Sequence, residues 1–482
     1  MRTPLPLLIA LAVATPAFAQ TTPTERAAAA DILDQIDALQ ARIRPTETAQ
    51  RLAGRADTER DRVMERVGAL WADEMMALSD YIGQNPEVGW AEFESVDTLA
   101  AVLTSYGFEM DLGVADLETA FAARWTSPAG GNGPTLGIIV EYDALRGTDE
   151  PFHGCQHNAQ SPVGFAVARA LAEHMEREGV PGRIHVFGTP AEEVGPPAKT
   201  IMYEAGVFDG TDVLIRSHGS SETARGRAGF GVCCLNINEV KYTFKGRPAH
   251  QRASWHGRNA LSAAVQFYSS VDHLRPTFRP EASIQGVIPE GGVAPNVVPD
   301  RAVVDYYIRY PDEVYLDHMS RMIDDAARAA AMATGTEVEI DRYGEYRDGI
   351  TLGSLEELTF AYAEKLGAPM INPEPQRPAG YEETGFVTRG IPGVGVSVFS
   401  SAAAGHSYDR WLDSMKDVGH TGFLHDAKIM SAVLYDVLHD DGLRATMKEE
   451  HEVLAGLLDQ YLANLRTTYA SEIGAGVTES QR

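Results

Sequence analysis

The chain has 482 residues, of which 44% are hydrophobic and 23% charged, a balance typical of a folded protein of two to four domains. Its 68 acidic residues outnumber its 41 basic ones, so the formal net charge is −27 at pH 7. That charge argues against nucleic acid and membrane surfaces as partners, because both are anionic and would repel the protein. A small-molecule substrate remains compatible, since it responds to the local charge of its site.

The N-terminus has the pattern of an export signal. Arg2 precedes an apolar run over residues 5–13, and Ala17-Phe18-Ala19 is an A-x-A cleavage site. We therefore expect residues 1–19 to be a signal peptide and the mature protein to be periplasmic or secreted. No later stretch of about 18 apolar residues occurs, so no transmembrane helix is expected. Residues 20–57 are rich in Ala, Thr, Gln and Arg and predict a helical N-terminal extension.

Residues 58–232 predict a domain in which helices alternate with buried strands. Helical periodicity occurs over residues 59–83, again after Glu92, and between the predicted strands. Short apolar runs bounded by turns predict strands over residues 135–140, 184–188 and 213–215. This alternation is typical of βαβ units around a mostly parallel sheet.

Residues 233–350 predict an inserted domain of a different kind. The pattern predicts strands over 233–244, 282–288, 302–310 and 337–343 and helices over 257–274 and 313–334. Their order, β-α-β-β-α-β, is that of a ferredoxin-like unit. Strand and helix alternation resumes over 351–465, with a buried strand at 394–399, and residues 466–482 are predicted to be a C-terminal tail.

Metal-binding and acidic side chains follow the predicted strands of the α/β domain. The set comprises Asp143, Cys155, His157, Glu192, Glu193, His218 and His406. Ligands of open α/β sheets bind beyond the carboxyl ends of the strands, so we expect these side chains to converge. Carboxylate, imidazole and thiolate ligands suit Zn²⁺ or Mn²⁺. The set is too large for one tetrahedral ion and predicts two divalent ions about 3.5–4 Å apart, with one adjacent Glu free as a general base.

Two other interpretations stay open at this point. Cys155 could be the nucleophile of a cysteine hydrolase, although the Glu pair and two histidines would then have no role. A periplasmic binding protein would explain the α/β pattern and the export signal, but not the metal-binding residue types. The two remaining cysteines, Cys233 and Cys234, are adjacent in an apolar run and predict buried strand residues rather than a disulfide scaffold.

Motifs spread over residues 60–440 resemble the dinuclear metallohydrolases of the aminoacylase–carboxypeptidase type. In chain order they are EYDAL, HGCQHN, GTPAEE, SHG, FKGRPAH, GRNAL, GGVAPNVVPDRAVVDYYIR and AAGHS. They are most similar to the amidohydrolase branch, which contains the p-aminobenzoyl-glutamate and indole-acetyl-amino-acid hydrolases. The resemblance implies a metallopeptidase-like α/β catalytic domain, an inserted dimerisation or lid domain and a homodimer. It also implies cleavage of an amide between an acyl or aroyl group and an amino acid, with a dipeptidase or carboxypeptidase of the same family as the alternative.

The resemblance also implies roles for individual residues. The implied ligands of two divalent ions, Mn or Zn, are Cys155, His157, Glu193, His218 and His406. Glu192 would be the general base, and Asp143 would support the ligands from behind. In the inserted domain, His250 would reach the partner subunit's active site and stabilise the oxyanion. Asn296 and Arg309 would bind the substrate carboxylate.

The sequence departs from the family pattern at several positions. Gln156 stands where Gly is usual, VGPPAK replaces a Gly-rich turn after the Glu pair, and Glu383 stands where relatives have Asp. Three additional large side chains, Arg252, Trp255 and His256, follow His250 and are expected to influence specificity. None of these departures removes an implied ligand, so activity remains the expectation.

Overall fold

A computed structural model of the chain describes residues 20–231, 236–374 and 384–474. The predicted signal peptide, Cys233, Cys234, Glu383 and residues 475–482 of the predicted tail lie outside the described residues. Within the described ranges, no helix is long and apolar enough to cross a membrane.

The predicted N-terminal extension forms two helices, α1 (Pro23–Ile43) and α2 (Pro45–Gly54). A capping box begins α1: Thr22 accepts the backbone N–H of Glu25, whose carboxylate accepts the N–H of Thr22 at 2.8 Å. The buried face of α1 packs against the last helix of the chain, where Asn464 donates to the carbonyl of Ala28 at 2.9 Å. The extension is therefore an integral part of the fold.

The catalytic domain contains a six-stranded sheet. Its elements before the insertion are α3 (Thr58–Leu70), a π-helical turn (Trp71–Met75), α4 (Met76–Gln84), α5 (Phe93–Ser105), β1 (Glu109–Leu112), β2 (Phe121–Thr126), β3 (Thr135–Val140), α6 (Gln160–Glu178), β4 (Arg183–Gly188), α7 (Ala198–Glu204), β5 (Val213–Ser217) and β6 (Thr223–Ala224). After the insertion come α10 (Gly353–Leu366), β11 (Ile371–Asn372), α11 (Thr384–Val387), β12 (Gly393–Val396), α12 (Tyr408–Ser414), α13 (Asp417–His439) and α14 (Asp441–Ile473).

The strand order of this sheet is β1-β2-β4-β3-β5-β12. Strands β4, β3, β5 and β12 are parallel, as predicted, and their carboxyl ends meet at one edge. Strands β1 and β2 extend the sheet in the antiparallel direction, so the sheet is mixed. The sequence analysis missed these two strands because β1 is short and largely exposed and β2 is buried over only half of its length.

The inserted domain has the predicted ferredoxin-like order. It comprises β7 (Asn236–Lys245), α8 (Ala260–Leu274), β8 (Ser283–Glu290), β9 (Arg301–Tyr310), α9 (Glu313–Thr334) and β10 (Glu337–Tyr346). The four strands are antiparallel in the order β10-β7-β9-β8, and both helices cover one face of the sheet. A short 3-10 turn (Gln251–His256) precedes α8, which therefore begins later than the predicted residue 257.

The other face of the inserted sheet is polar, because the side chains of β9 alternate between the two sides. Tyr306 and Ile308 are buried under the helices, whereas Asp305, Tyr307 and Arg309 lie on the open face. At its end nearest the catalytic domain, this face packs on the loop after β4, where a side chain at Gly195 would collide with buried Glu239. The inserted sheet therefore directly adjoins the loop that carries the Glu pair.

Candidate active site

The carboxyl ends of the parallel strands bring the predicted metal ligands together. Candidate ligand atoms lie within 4.8 Å of one another in three groups. The groups are Cys155, His157 and His218; Cys155, Glu193 and His406; and His157, Glu192 and Glu193. All five implied ligands and the implied general base thus belong to one cluster, and Cys155 belongs to two of the groups. The thiol is therefore placed to be shared between two ions.

Asp143 orients two of these ligands from behind. Its Oδ1 lies 2.9 Å from Nδ1 of His157, and its Oδ2 accepts the backbone N–H of Glu193 at 2.8 Å. With Nδ1 donating to Asp143, Nε2 of His157 is directed into the cluster, 3.8 Å from Oε2 of Glu192. Burial alone would lower the pKa of His157, but the neighbouring Glu141 and Asp143 carboxylates raise it well above its usual value. The supporting role predicted for Asp143 matches this geometry.

His218 and His406 approach the cluster from opposite sides. Nδ1 of His218 donates to the carbonyl of Gly219 at 2.8 Å, which leaves Nε2 as the ligand atom. Burial and the nearby Arg216 lower the pKa of His218 to about 3, so the imidazole is neutral, as metal binding requires. His406 has a φ of 57° and lies on an exposed loop, with Nε2 3.7 Å from Glu193. A Cβ at Gly154 would lie 2.9 Å from Cα of His406, so the small residue allows this loop to approach.

The carboxylates and the thiol form an anionic cluster that fits divalent cations. Burial raises the pKa of Glu192 well above its usual value, and Glu193 and Glu141 raise it further. Burial likewise raises the pKa of Glu193 and of the Cys155 thiol. These shifts arise because negative charges are crowded together away from water. Cations bound among these donors would stabilise the ionised forms, so the residues present suit two divalent ions.

Glu92 positions the Glu pair and was not found by sequence reasoning. Ala191, which precedes the pair, has a φ of 56°, a left-handed conformation that is unfavourable for alanine. The buried carboxylate of Glu92 accepts the N–H of Ala191 at 2.8 Å and the hydroxyl of Thr119 at 2.9 Å. Burial and the nearby Asp143 raise the pKa of Glu92 to about 7. No sequence signal links Glu92 to the pair, because the contact spans 99 residues.

A buried ion pair forms the floor of the cluster. Nζ of Lys199 lies 2.7 Å from Oε1 of Glu141, both residues are fully buried, and Oε2 of Glu141 lies 3.2 Å from Nε2 of His157. Despite burial, Lys199 and His157 hold the pKa of Glu141 well below its usual range. Gln160 also donates to this carboxylate. Glu141 belongs to the EYDAL motif and could have been assigned a role, whereas Lys199 carried no signal.

Gln156 shows how the chain accommodates its departure from the family pattern. Its φ of 65° is left-handed, which explains why glycine suits this position. The buried side chain accepts a hydrogen bond from Ser400 at 2.6 Å and donates to the carbonyl of Arg410 at 3.0 Å. It fits only because residue 219 is glycine, since a Cβ there would collide with the Gln156 amide. These two hydrogen bonds tie the Cys155 loop to the loop that carries His406.

The residues predicted in the inserted domain lie at opposite ends of its sheet. His250 and Asn296 are exposed neighbours, joined by a backbone hydrogen bond of 3.0 Å from Gln251 to Asn296. Arg309 is near the end of β9 and pairs with Ile237 and Ser283 beside the catalytic domain. At about 3.3 Å per residue, nearly the whole length of β9, roughly 25 Å, separates it from the other two. Within one chain, Arg309 therefore does not join His250 and Asn296.

The fold and the site define a class of protein: a hydrolase with a dinuclear-type metal centre and an inserted dimerisation domain. The description "Peptidase dimerisation domain" matches residues 235–334, the predicted insertion. The chain belongs to the M20 family of metal-dependent hydrolases and peptidases, which act on amide bonds. The resemblance predicted from the motifs is thereby confirmed.

Relatives of known name span most of the chain. A human protein named Xaa-Arg dipeptidase is 31% identical over 409 residues, covering 79% of this chain and 89% of its own length. One of the p-aminobenzoyl-glutamate hydrolase polypeptides of Escherichia coli is 31% identical over 313 residues, or 62% of this chain and 63% of its own. A solved Bacillus subtilis structure, described as a dinuclear metal binding M20 peptidase, is 18% identical with a TM-score of 0.54 and covers 77% of this chain and 99% of its own. This last likeness concerns the fold.

Proposed function

We propose that this protein is an exported, metal-dependent amidohydrolase that releases an amino acid from an acyl or aroyl group. The observation that carries the proposal is the placement of Glu192 beside three overlapping groups of metal-ligand atoms. Substrates of the aminobenzoyl-glutamate or N-acyl amino acid type agree with the E. coli relative. A dipeptidase is the second candidate, because relatives matched over 89% and 95% of their length are named Xaa-Arg dipeptidase.

Five residues would hold the two ions, which we propose to be Mn or Zn. They are Cys155, His157, Glu193, His218 and His406. The shared thiolate favours the softer Zn²⁺, whereas carboxylate and imidazole donors suit either metal. When bound, the ions supply Lewis acidity and lower the pKa of a water molecule toward neutrality.

Glu192 would move the proton during hydrolysis. Its buried carboxylate accepts a proton from the attacking water and then donates it to the leaving nitrogen. Burial raises the affinity of this carboxylate for protons, which favours transfer in both directions near neutral pH. Glu92 and Asp143 hold the backbone on either side of Glu192, so its carboxylate is oriented before the substrate arrives.

A homodimer explains the position of His250 and Asn296. Both are exposed at the far end of the inserted sheet, about one strand length from the end that adjoins the catalytic domain. We propose that they enter the active site of the partner subunit, where His250 stabilises the oxyanion and Asn296 contacts the substrate. Arg309, near the junction with its own catalytic domain, would bind the substrate carboxylate.

A pair of isosteric variants tests the proposed roles. Glu192→Gln should retain about two equivalents of Mn or Zn by elemental analysis, while turnover of an N-acyl amino acid and dipeptide panel falls by several orders of magnitude. Glu193→Gln, the matched control, should lose metal. Loss of metal in Glu192→Gln with turnover retained would overturn the assignment. A metal-free wild type that is active and is inactivated by alkylation of Cys155 would establish cysteine catalysis instead.

Export is tested separately by N-terminal sequencing of the protein made in a bacterial host. A mature chain that begins at Gln20 in the periplasmic fraction supports the proposed signal peptide. An intact N-terminus in the cytoplasm would refute it without affecting the proposed chemistry.

A further inference from the structure

A cavity of about 480 Å³ lies between the N-terminal helices and residues 225–230, which follow β6. Its volume is in the range of roughly 300–1,000 Å³ that is usual for small-molecule sites. The residues that line it include none of the proposed metal ligands or catalytic residues. Leu33 and Ile36 of α1 and the buried ring of Phe230 form an apolar wall.

Two opposite charges border this cavity without forming an ion pair. Arg227 is half-buried, and burial lowers the pKa of its guanidinium. The charged group that acts on it is Asp37, which is exposed on α1. Across the parts of the chain that the structure describes, no acid approaches Arg227 within ion-pair distance. The neighbouring Arg225, by contrast, donates to Glu357 at 2.8 Å.

A buried polar atom also lines the cavity. Gln20 is 1% exposed, and its amide Nε2 donates to the carbonyl of Phe230 at 3.2 Å. Its Oε1 is buried and meets no hydrogen-bond donor within the described ranges. A buried acceptor without a donor is unfavourable, so a ligand with an N–H group would be stabilised there.

We propose that this cavity binds a free α-amino acid with an apolar side chain. The carboxylate pairs with the guanidinium of Arg227, whose planar fork suits two parallel hydrogen bonds. The ammonium donates to Asp37 and to Oε1 of Gln20, and the side chain packs on Ile36 and Phe230. A molecule with both charges bridges the gap between Arg227 and Asp37, which a simple anion or cation cannot do.

The test is a calorimetric titration of the intact, metal-loaded protein with L-leucine. Arg227→Met and Asp37→Asn should each weaken binding at least about tenfold, because each removes one charged partner. Asp34→Asn is the matched control, since Asp34 is an exposed acid on the same helix that does not line the cavity. Turnover measured without added amino acid should be unchanged in all three variants, and Arg227→Lys should give intermediate binding.

Two analogues separate the contributions of the two charges. Leucinamide lacks the carboxylate and 4-methylpentanoate lacks the ammonium, so both should bind about tenfold or more weakly than leucine. Absence of leucine binding to the wild type, or wild-type affinity in Arg227→Met and Asp37→Asn, would overturn the proposal. Equal affinity for leucine and 4-methylpentanoate would refute the assignment of an amino acid. Circular dichroism of each variant excludes misfolding as the cause of lost binding.

Discussion

Replacing Glu92 with alanine should slow catalysis without removing any residue that touches the substrate. The carboxylate of Glu92 holds the N–H of Ala191, whose left-handed backbone presents Glu192 to the cluster. Without that acceptor, a buried N–H is left unpaired at a cost of about 1–3 kcal/mol. Left-handed alanine itself costs about 1–2 kcal/mol, so the loop is expected to relax.

These two costs set the size of the expected effect. Restoring the catalytic conformation in Glu92→Ala would require roughly 2–5 kcal/mol, which corresponds to roughly a 30- to 4,000-fold lower kcat/KM. Glu92→Gln is the matched control, because its amide oxygen can accept from Ala191 while its NH₂ group donates to Thr119. It should lose less than about tenfold.

The assay is steady-state hydrolysis of the best substrate of the panel, with metal content and circular dichroism measured on the same samples. Turnover of Glu92→Ala within about threefold of the wild type would show that the strained backbone does not depend on Glu92. Equal damage in Glu92→Gln and Glu92→Ala would show that the negative charge matters rather than the hydrogen bonds. Either result would refute the argument.

Three further predictions concern stability. Gln156→Gly relieves a left-handed conformation but leaves Ser400 and the Arg410 carbonyl without their buried partner, so urea unfolding should show a loss of about 1–4 kcal/mol; a more stable variant would contradict this. His174 is buried with Nε2 2.8 Å from Nε2 of His439, and burial and His439 lower the pKa of His174 to about 4. Between pH 6.5 and about 4 the unfolded chain therefore binds a proton that the folded chain does not, so stability should fall as the pH falls through this range, and His174→Gln should flatten the urea midpoints; an unchanged slope would count against it. Removing metal with a chelator should lower the thermal midpoint by uncovering repulsion among the buried carboxylates, and Mn or Zn should restore it, whereas a midpoint insensitive to chelation would argue against the metal centre.

Some elements were predictable because their signals are local. The bounds of β3 and α9 agree with the sequence prediction at both ends. In α9, Asp312 caps the first turn by accepting the N–H of Tyr315, and Gly335 ends the helix with a φ of 66°. The edge strands β1 and β2 were missed because they lack the continuous apolar run that marked the buried strands.

The candidate site divides in the same way. Its ligands were predictable because each directly follows a recognisable strand or opens the next helix. The supporting residues were not, because the roles of Glu92 and Lys199 depend on contacts between distant segments that no local pattern encodes. The separation of Arg309 from Asn296 also required the structure, since both belong to one continuous motif.

The packing of α1 against α14 has a consequence for how the protein folds. Thr24 donates to Glu472 at 3.1 Å, so the two ends of the described chain meet at one place on the surface. During synthesis the first helix has no packing partner until the last one has been made, and folding can close only after nearly the whole polypeptide is available. Because the ends are adjacent, a circular permutant that links residue 474 to residue 20 would preserve the buried contacts while opening the chain elsewhere.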